Sequence, residues 1–392
     1  MNEQRANPGG QLDPKNIIGR ERLIENLWDA LELQSVRMTA ERRIGKTSVM
    51  IKMEAEPRTG WRPVYMDLEK LHTPMEFALA IYGEVEKFLT TKKKAIRKAK
   101  EIYQHLEGAE VSGVFRLPEG KEKEWKAILT SSLEDLVANF EKSDERLLFF
   151  WDEMPYLLEH IRDREGSEVA LELLDVLREQ RKAHSEVLRM VITGSIGIHH
   201  VLKTLKKTSK HVLNDVLQFE VHPLAMDAAK ELGARLIRGE RLNCSDEERA
   251  TTTLAEECDC FAFYIHHVMK ELKLTDQEVS DETVKGVVAK QLADDNDPWE
   301  LYHFSERLEE YYGDEEPVVK LILDELSLSS NGHPDELLER LKGQSVFDDR
   351  ERLLELLRLL VQDHYLIKGE DGRYEFRFSL IQRWWKQHRH LG

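Results

Sequence analysis

The window Ala40-Glu41-Arg42-Arg43-Ile44-Gly45-Lys46-Thr47 follows a known pattern at every fixed position but the first: glycine, four arbitrary residues, glycine, lysine, then serine or threonine. Each fixed position has a physical task. Gly45 lets backbone N–H groups close on a phosphate, Lys46 reaches the β and γ phosphates, and Thr47 Oγ1 ligates Mg2+ at the positive end of the helix that follows. Ala40 replaces the first glycine and tolerates only the less demanding backbone geometry there.

A second constellation is independent of the first. The apolar run Leu147-Leu148-Phe149-Phe150-Trp151 ends in Asp152-Glu153, which places two carboxylates at the C-terminal end of a strand, where open α/β sheets bind ligands. Asp152 is the candidate to support Mg2+ through a coordinated water, and Glu153 the candidate to orient or deprotonate an attacking water. Two buried anions without a cation are expensive, so Mg2+ gives the pair a reason to coexist. Taken alone the segment also reads as an ordinary strand end with an Asp-Glu turn. Beside the phosphate loop, the two constellations point to ATP hydrolysis. At the end of the next strand, Thr193 and Ser195 can each hydrogen-bond a γ-phosphate or lytic water, or simply close a glycine-containing turn; Ser195, beyond the strand edge, is preferred. Charge in a phosphoryl-transfer transition state calls for an arginine, and Arg162, Arg164, Arg178 and Arg181 lie between the two strand ends. Arg178 is the nominal choice among four residues that also read as surface arginines.

The elements that must hold these residues alternate. Helical spacing over 17–33 precedes a strand at 35–39, the loop and a helix; then come a strand at 63–68, a helix at 74–88, and an interruption at 91–123. A helix over 125–140 leads into the strand 146–151, followed by a helix at 167–182 and strands at 188–193 and 216–221. Five strands separated by helices predict an α/β fold with a mostly parallel, doubly wound sheet, because parallel neighbours need crossover connections. Beyond Leu224 the pattern is almost wholly helical. From about 318 it gives three helices and two extended segments, 365–368 and 374–378, flanking Glu370-Asp371-Gly372, which is the make-up of a winged helix. The expected division is a flexible tail at 1–15, a phosphate-loop ATPase core at 16–224 with an insert around 91–123, a helical lid or linker at 225–313, and a winged-helix domain at 314–392.

Charge and composition narrow the partners. The chain has 392 residues, of which 41% are hydrophobic, and its 57 Lys and Arg against 74 Asp and Glu give a formal charge of −17. No apolar run approaches the roughly 18 residues of a membrane span. The N-terminus has no secretory pattern and three cysteines make no disulfide framework, so a cytoplasmic location with no membrane contact is expected. A surface that attracts nucleic acid everywhere is excluded. Two restricted places remain. One is the run of Lys92, Lys93, Lys94, Arg97, Lys98 and Lys100; the other is the winged helix, although from 314 to 392 it carries 12 basic and 16 acidic residues, a net −4. DNA or a protein are the candidate partners there, and self-association is a further candidate. Cys258 and Cys260 with His266 and His267 lack four-ligand metal spacing and read as structural.

The combination of Ile18-Gly19-Arg20-Glu21, Arg42-Arg43-Ile44-Gly45-Lys46-Thr47-Ser48, the Asp152-Glu153 strand end and Ile192-Thr193-Gly194-Ser195 resembles the archaeal-type ATPase family, close to the STAND signal-transduction ATPases within the wider AAA+ class. The likeness continues through Pro223-Leu224, His303-Phe304-Ser305-Glu306-Arg307-Leu308 with Tyr311-Tyr312, and a C-terminal winged helix ending near Trp384-Trp385. It implies an ASCE-type core, a helical lid and a winged helix, with ATP and Mg2+ bound as a conformational switch. Through it Arg20 falls on the adenine or lid side. Arg43, Ile44, Gly45, Lys46, Thr47 and Ser48 become the nucleotide contacts, and Glu153 the catalytic base. Two departures stand out: Ala40, and a lid turn Cys260-Phe261-Ala262-Phe263-Tyr264 with neither glycine nor proline. They keep a second class open, a nucleotide-regulated DNA-binding or protein-interaction adaptor with little or no turnover.

Overall fold

The computed structural model describes residues 3–88, 124–141, 143–194, 197–205, 212–343 and 347–391. The expected insert with its basic run, and Ser195, lie outside the described residues. The chain divides into two compact units. One comprises Glu21–Thr39 and Lys46–Val221; the other comprises Met1–Arg20, Ala40–Gly45 and His222–Gly392.

In the first unit the chain runs α1 (Glu21–Leu33), β1 (Val36–Thr39), α2 (Lys46–Ala55), β2 (Trp61–Asp67), α3 (Pro74–Phe88), α4 (Glu124–Phe140), β3 (Arg146–Asp152), α5 (Met154–Glu165), α6 (Ser167–Ala183), β4 (Leu188–Ile192), α7 (Ile198–Thr204) and β5 (Leu217–Glu220). The strands form one sheet in the order β2-β3-β4-β1-β5, and every neighbouring pair is parallel. The α/β expectation holds, and the order that sequence alone leaves open is now set. Strand β3 is buried from Leu147 to Asp152 because helices cover both faces, which explains its unbroken apolar run. Pro63 sits in β2, an edge strand, where its missing N–H costs no ladder bond on the open side. Buried Arg189 on β4 donates to the carbonyls of Leu31 and Glu32, satisfying the C-terminal end of α1. Helix α5, which the sequence pattern does not announce, starts one residue after Glu153; Pro155 suits its first turn.

The second unit holds α8 (Met226–Glu240), α9 (Glu247–Glu257), α10 (Ala262–Leu274), α11 (Asp281–Leu292), α12 (His303–Tyr312), α13 (Glu316–Ser329), β6 (Asn331–Gly332), α14 (Pro334–Gly343), α15 (Arg350–Gln362), β7 (Leu366–Lys368), β8 (Tyr374–Phe376) and α16 (Ser379–His388). Helices α13, α14 and α15 followed by an antiparallel hairpin, with β6 as a third short strand in the order β6-β8-β7, form the winged helix. Residues 4–7 lie along α8 and α10. Gln4 N–H donates to the Arg235 carbonyl, Ala6 N–H to Glu240 Oε1, and Asn7 N–H to His266 Nδ1 at 3.2 Å. Gly239 permits this approach, since a Cβ there would stand 2.0 Å from the Gln4 carbonyl oxygen. Burial brings the His266 imidazole down to about 4, so its Nδ1 is available as an acceptor at neutral pH.

The turn before α10, which has no glycine or proline, is made by Asp259 (φ 46) and Cys260 (φ 58), both left-handed. Asp259 Oδ2 accepts the Leu380 N–H at 2.6 Å, capping the first turn of α16 from another element. Burial raises the Asp259 carboxyl to about 6, against the opposing pull of that N–H and of Arg383. A raised carboxyl favours the folded state most below its unfolded value, and this advantage is lost as pH rises through about 6. Asp259→Asn is therefore expected to raise the urea midpoint at pH 8 and to change it little at pH 4, as read by circular dichroism. Cys244, Cys258 and Cys260 are free thiols. Among the described residues, Cys258, Cys260, His266 and His267 gather no metal-binding group, and no helix is long and apolar enough to cross a membrane.

Candidate functional site

The first unit brings two sequence-distant hydroxyls onto one carboxylate. Thr47 Oγ1, on the first turn of α2, donates to Asp152 Oδ2 at 2.6 Å, and Tyr65 Oη on β2 donates to the same oxygen at 3.1 Å. The pairing of β2 with β3, from Trp61 opposite Arg146 to Asp67 opposite Asp152, fixes that reach. Asp152 is 4% exposed and Lys46 8% exposed. Burial raises the Asp152 carboxyl. Hydrogen bonds from Thr47 and Tyr65 and the nearby Lys46 ammonium pull the other way, and Asp67 adds to the rise. Burial and the anions Asp152, Asp67 and Glu153 keep Tyr65 a phenol, hence a donor. A buried carboxylate whose ionised form is disfavoured, next to a threonine hydroxyl at a helix N-terminus, is a hard-oxygen donor set that fits Mg2+.

Glu153 lies between β3 and α5 in the left-handed region, φ 57, a conformation that costs a non-glycine residue about 1–3 kcal/mol. Two backbone bonds impose it: Met154 N–H donates to the Thr193 carbonyl at 3.1 Å, and Thr193 N–H to the Trp151 carbonyl at 3.0 Å. Gly194 is required by close approach, because a Cβ would fall 2.5 Å from Pro155 Cδ and 3.3 Å from Glu153 Oε2. Thr193 is 2% exposed, and its Oγ1 has no hydrogen-bond partner among the described residues.

Residues 40–45 of the phosphate loop are described with the second unit. Its positive-φ positions are Arg43 (φ 65) and Gly45 (φ 103); Ala40 is not among them, so alanine at the first position strains nothing. Arg20, 5% exposed, donates to the Ile44 carbonyl at 2.5 Å and to the His222 carbonyl at 2.6 Å. Arg42 and Arg43 both pair with Glu300, and the Arg43 guanidinium lies 4.6 Å from the Phe263 ring centroid. Glu41 is buried against Arg307 of α12.

No protein-family profile and no curated protein matches the chain. Solved structures do. The Walker-type ATPase PABY2304 of Pyrococcus abyssi superposes with a TM-score of 0.62 at 16% identity, over 98% of this chain and 98% of that one. The ORC2 protein of Aeropyrum pernix, in its ADPNP–ADP complexes, gives 0.54 at 13% identity, over 99% of this chain and 97% of that one. The chain has a P-loop NTPase fold with a helical and winged-helix extension. At these identities the likeness is one of fold.

Within the P-loop core, the expected site residues sort by what they touch. Lys46, Thr47 and Asp152 come together, and Ser48 follows half-buried in α2. Arg178 donates to Asn214 Oδ1 at 3.1 Å and lies 3.9 Å from Asp215; Arg181 pairs with Asp215, and Arg162 with Asp163 and Thr204. Tyr65 is not legible in the sequence because the phosphate-loop pattern says nothing about the strand flanking the acidic one. Glu300 is not singled out by the sequence, and Arg307, though part of the His303–Leu308 run of the resemblance, has no role assigned there, because nothing local to either residue points to the loop some 260 positions away.

Proposed function

We propose that the chain is a Mg2+-dependent ATP-binding and ATP-hydrolysing switch that couples nucleotide state to its helical lid and winged helix, as the archaeal-type and STAND-like ATPases it resembles are expected to do. The observation that carries this reading is the Thr47–Asp152 hydrogen bond at 2.6 Å with Lys46 buried beside it. Lys46 and the N-terminus of α2 hold the β and γ phosphates, helped by the N–H groups of the loop leading into them. Thr47 and Asp152 hold Mg2+, which when bound neutralises phosphate charge. Glu153 takes the proton of the attacking water, and Thr193 Oγ1 is available to orient that water or the γ-phosphate. Ser195 and Arg20 stay as proposed contacts, Ser195 for the γ-phosphate and Arg20 for the loop and the adenine side.

The test is an equilibrium titration with a fluorescent ATP analogue. Mg2+ is expected to tighten binding to the wild-type chain by at least about tenfold, and Asp152→Asn to remove most of that gain while leaving metal-free affinity nearly unchanged. A wild-type chain that binds no nucleotide would sink the proposal. The engagement of Arg178 by Asn214 and Asp215 favours a second reading, a nucleotide-regulated adaptor for DNA or a protein partner with little turnover. Steady-state phosphate release with and without duplex DNA separates the two.

A further inference from the structure

The phosphate loop contains a buried anion for which phosphate binding has no use. Glu41 is 2% exposed, and both its oxygens receive one guanidinium: Arg307 Nη1 donates to Oε1 at 2.9 Å and Nη2 to Oε2 at 3.3 Å. The same guanidinium faces the winged helix. Its Nε donates to Tyr365 Oη at 2.7 Å and its Nη2 to the Asp363 carbonyl at 3.2 Å, both in the turn between α15 and β7. Tyr365 Oη in turn donates to the Phe304 carbonyl on α12, and the guanidinium carbon lies 4.4 Å from the Tyr365 ring centroid and 4.7 Å from that of Phe304. His303 stands 4.0 Å from Glu41. On the far side, Tyr365 accepts the Arg377 N–H through its own carbonyl, tying the turn to the end of the hairpin.

Burial alone would raise the Glu41 carboxyl, but Arg307 and His303 overcome it and hold it well below the usual range. A buried pair of this kind recovers its desolvation cost only while its geometry holds, and displacing one partner strands a charge on the other. Glu41 belongs to the loop, so a change in the loop backbone carries the attachment point of its carboxylate with it. A polyphosphate makes that backbone converge its N–H groups on the ligand. The planar fork of Arg307 is rigid, so a displacement on the Glu41 side is passed to the Tyr365 side.

We propose that Arg307 is a positioning residue that couples phosphate occupancy of the loop to the 363–378 segment of the winged helix, through Glu41 on one side and Tyr365 with the Asp363 carbonyl on the other. The coupling to nucleotide rests on the ATP reading above; the link between loop and hairpin does not.

Hydrogen exchange of the full-length chain, read by mass spectrometry, tests both parts. Without nucleotide, Glu41→Gln is expected to raise exchange over 363–378 by at least about threefold, and Arg307→Lys, which cannot form the fork, to do so over both 40–46 and 363–378. Unchanged exchange over 363–378 in both variants overturns the link. With Mg-ATP, the wild-type chain is expected to change its exchange over 363–378. Tyr365→Phe keeps the Glu41 fork, so it is expected to bind the nucleotide within about threefold of wild type and to lose that response. A Tyr365→Phe chain that responds as wild type does, or a wild-type chain that binds Mg-ATP with no response, overturns the coupling. If wild type binds no nucleotide but Glu41→Gln still loosens 363–378, the link stands and the ATP reading falls.

Discussion

Replacing Glu153 by glutamine is expected to lower steady-state phosphate release by about 10²- to 10⁴-fold, the size of a general-base contribution, while Mg-ATP affinity stays within about threefold. The amide matches the carboxylate in shape, so the left-handed backbone at φ 57 and the close passage of Gly194 are undisturbed. What is lost is the ability to accept a proton. Because Asp152 and Thr47 are untouched, the proposed Mg2+ donors remain in place. The measurement is coupled-assay turnover beside anisotropy with a labelled ATP analogue. Unaltered turnover would assign the base elsewhere, and an equal fall in affinity and rate would make Glu153 a binding group.

The second large effect is expected at Lys46. Lys46→Ala removes a charge-assisted contact worth about 1.5–3 kcal/mol, so nucleotide affinity should fall by about 10- to 150-fold. Lys46 also lowers the buried Asp152 carboxyl. Without the ammonium that carboxyl rises further, and binding of Mg2+, which requires the ionised form, shifts to higher pH. Lys46→Met keeps the aliphatic stem and separates packing from charge. A variant of either kind that binds ATP as wild type does would remove Lys46 from the site.

Much of the first unit can be read directly from the residues, for a physical reason. A strand covered on both faces must be apolar throughout, so β3 announces itself, and carboxylates placed at its end stand out against that run. Lys46 and Thr47 are likewise visible because the phosphate-loop pattern fixes residue types at short spacing. The winged-helix segments show through helical periodicity and a glycine turn at Gly372. Ala40 is a departure whose weight the backbone settles: the positive-φ demand of the loop falls on Arg43 and Gly45 instead.

The residues outside that pattern depend on neighbours distant in sequence. Tyr65 reaches Asp152 only because β2 pairs with β3 in one register. Glu41 occupies an arbitrary position of the loop pattern, and nothing local distinguishes it from a solvated glutamate; burial against Arg307 makes it an anchor. The sequence by itself determined the α/β class, the phosphate loop and the carboxylates at the strand end, because each follows from periodicity or from chemistry at short range. Only the tertiary structure decided the strand order, the hydroxyls that converge on Asp152, and the ion pair that joins Glu41 of the loop to Arg307 of α12. Those depend on which segments pack together, and packing is a property of the whole chain.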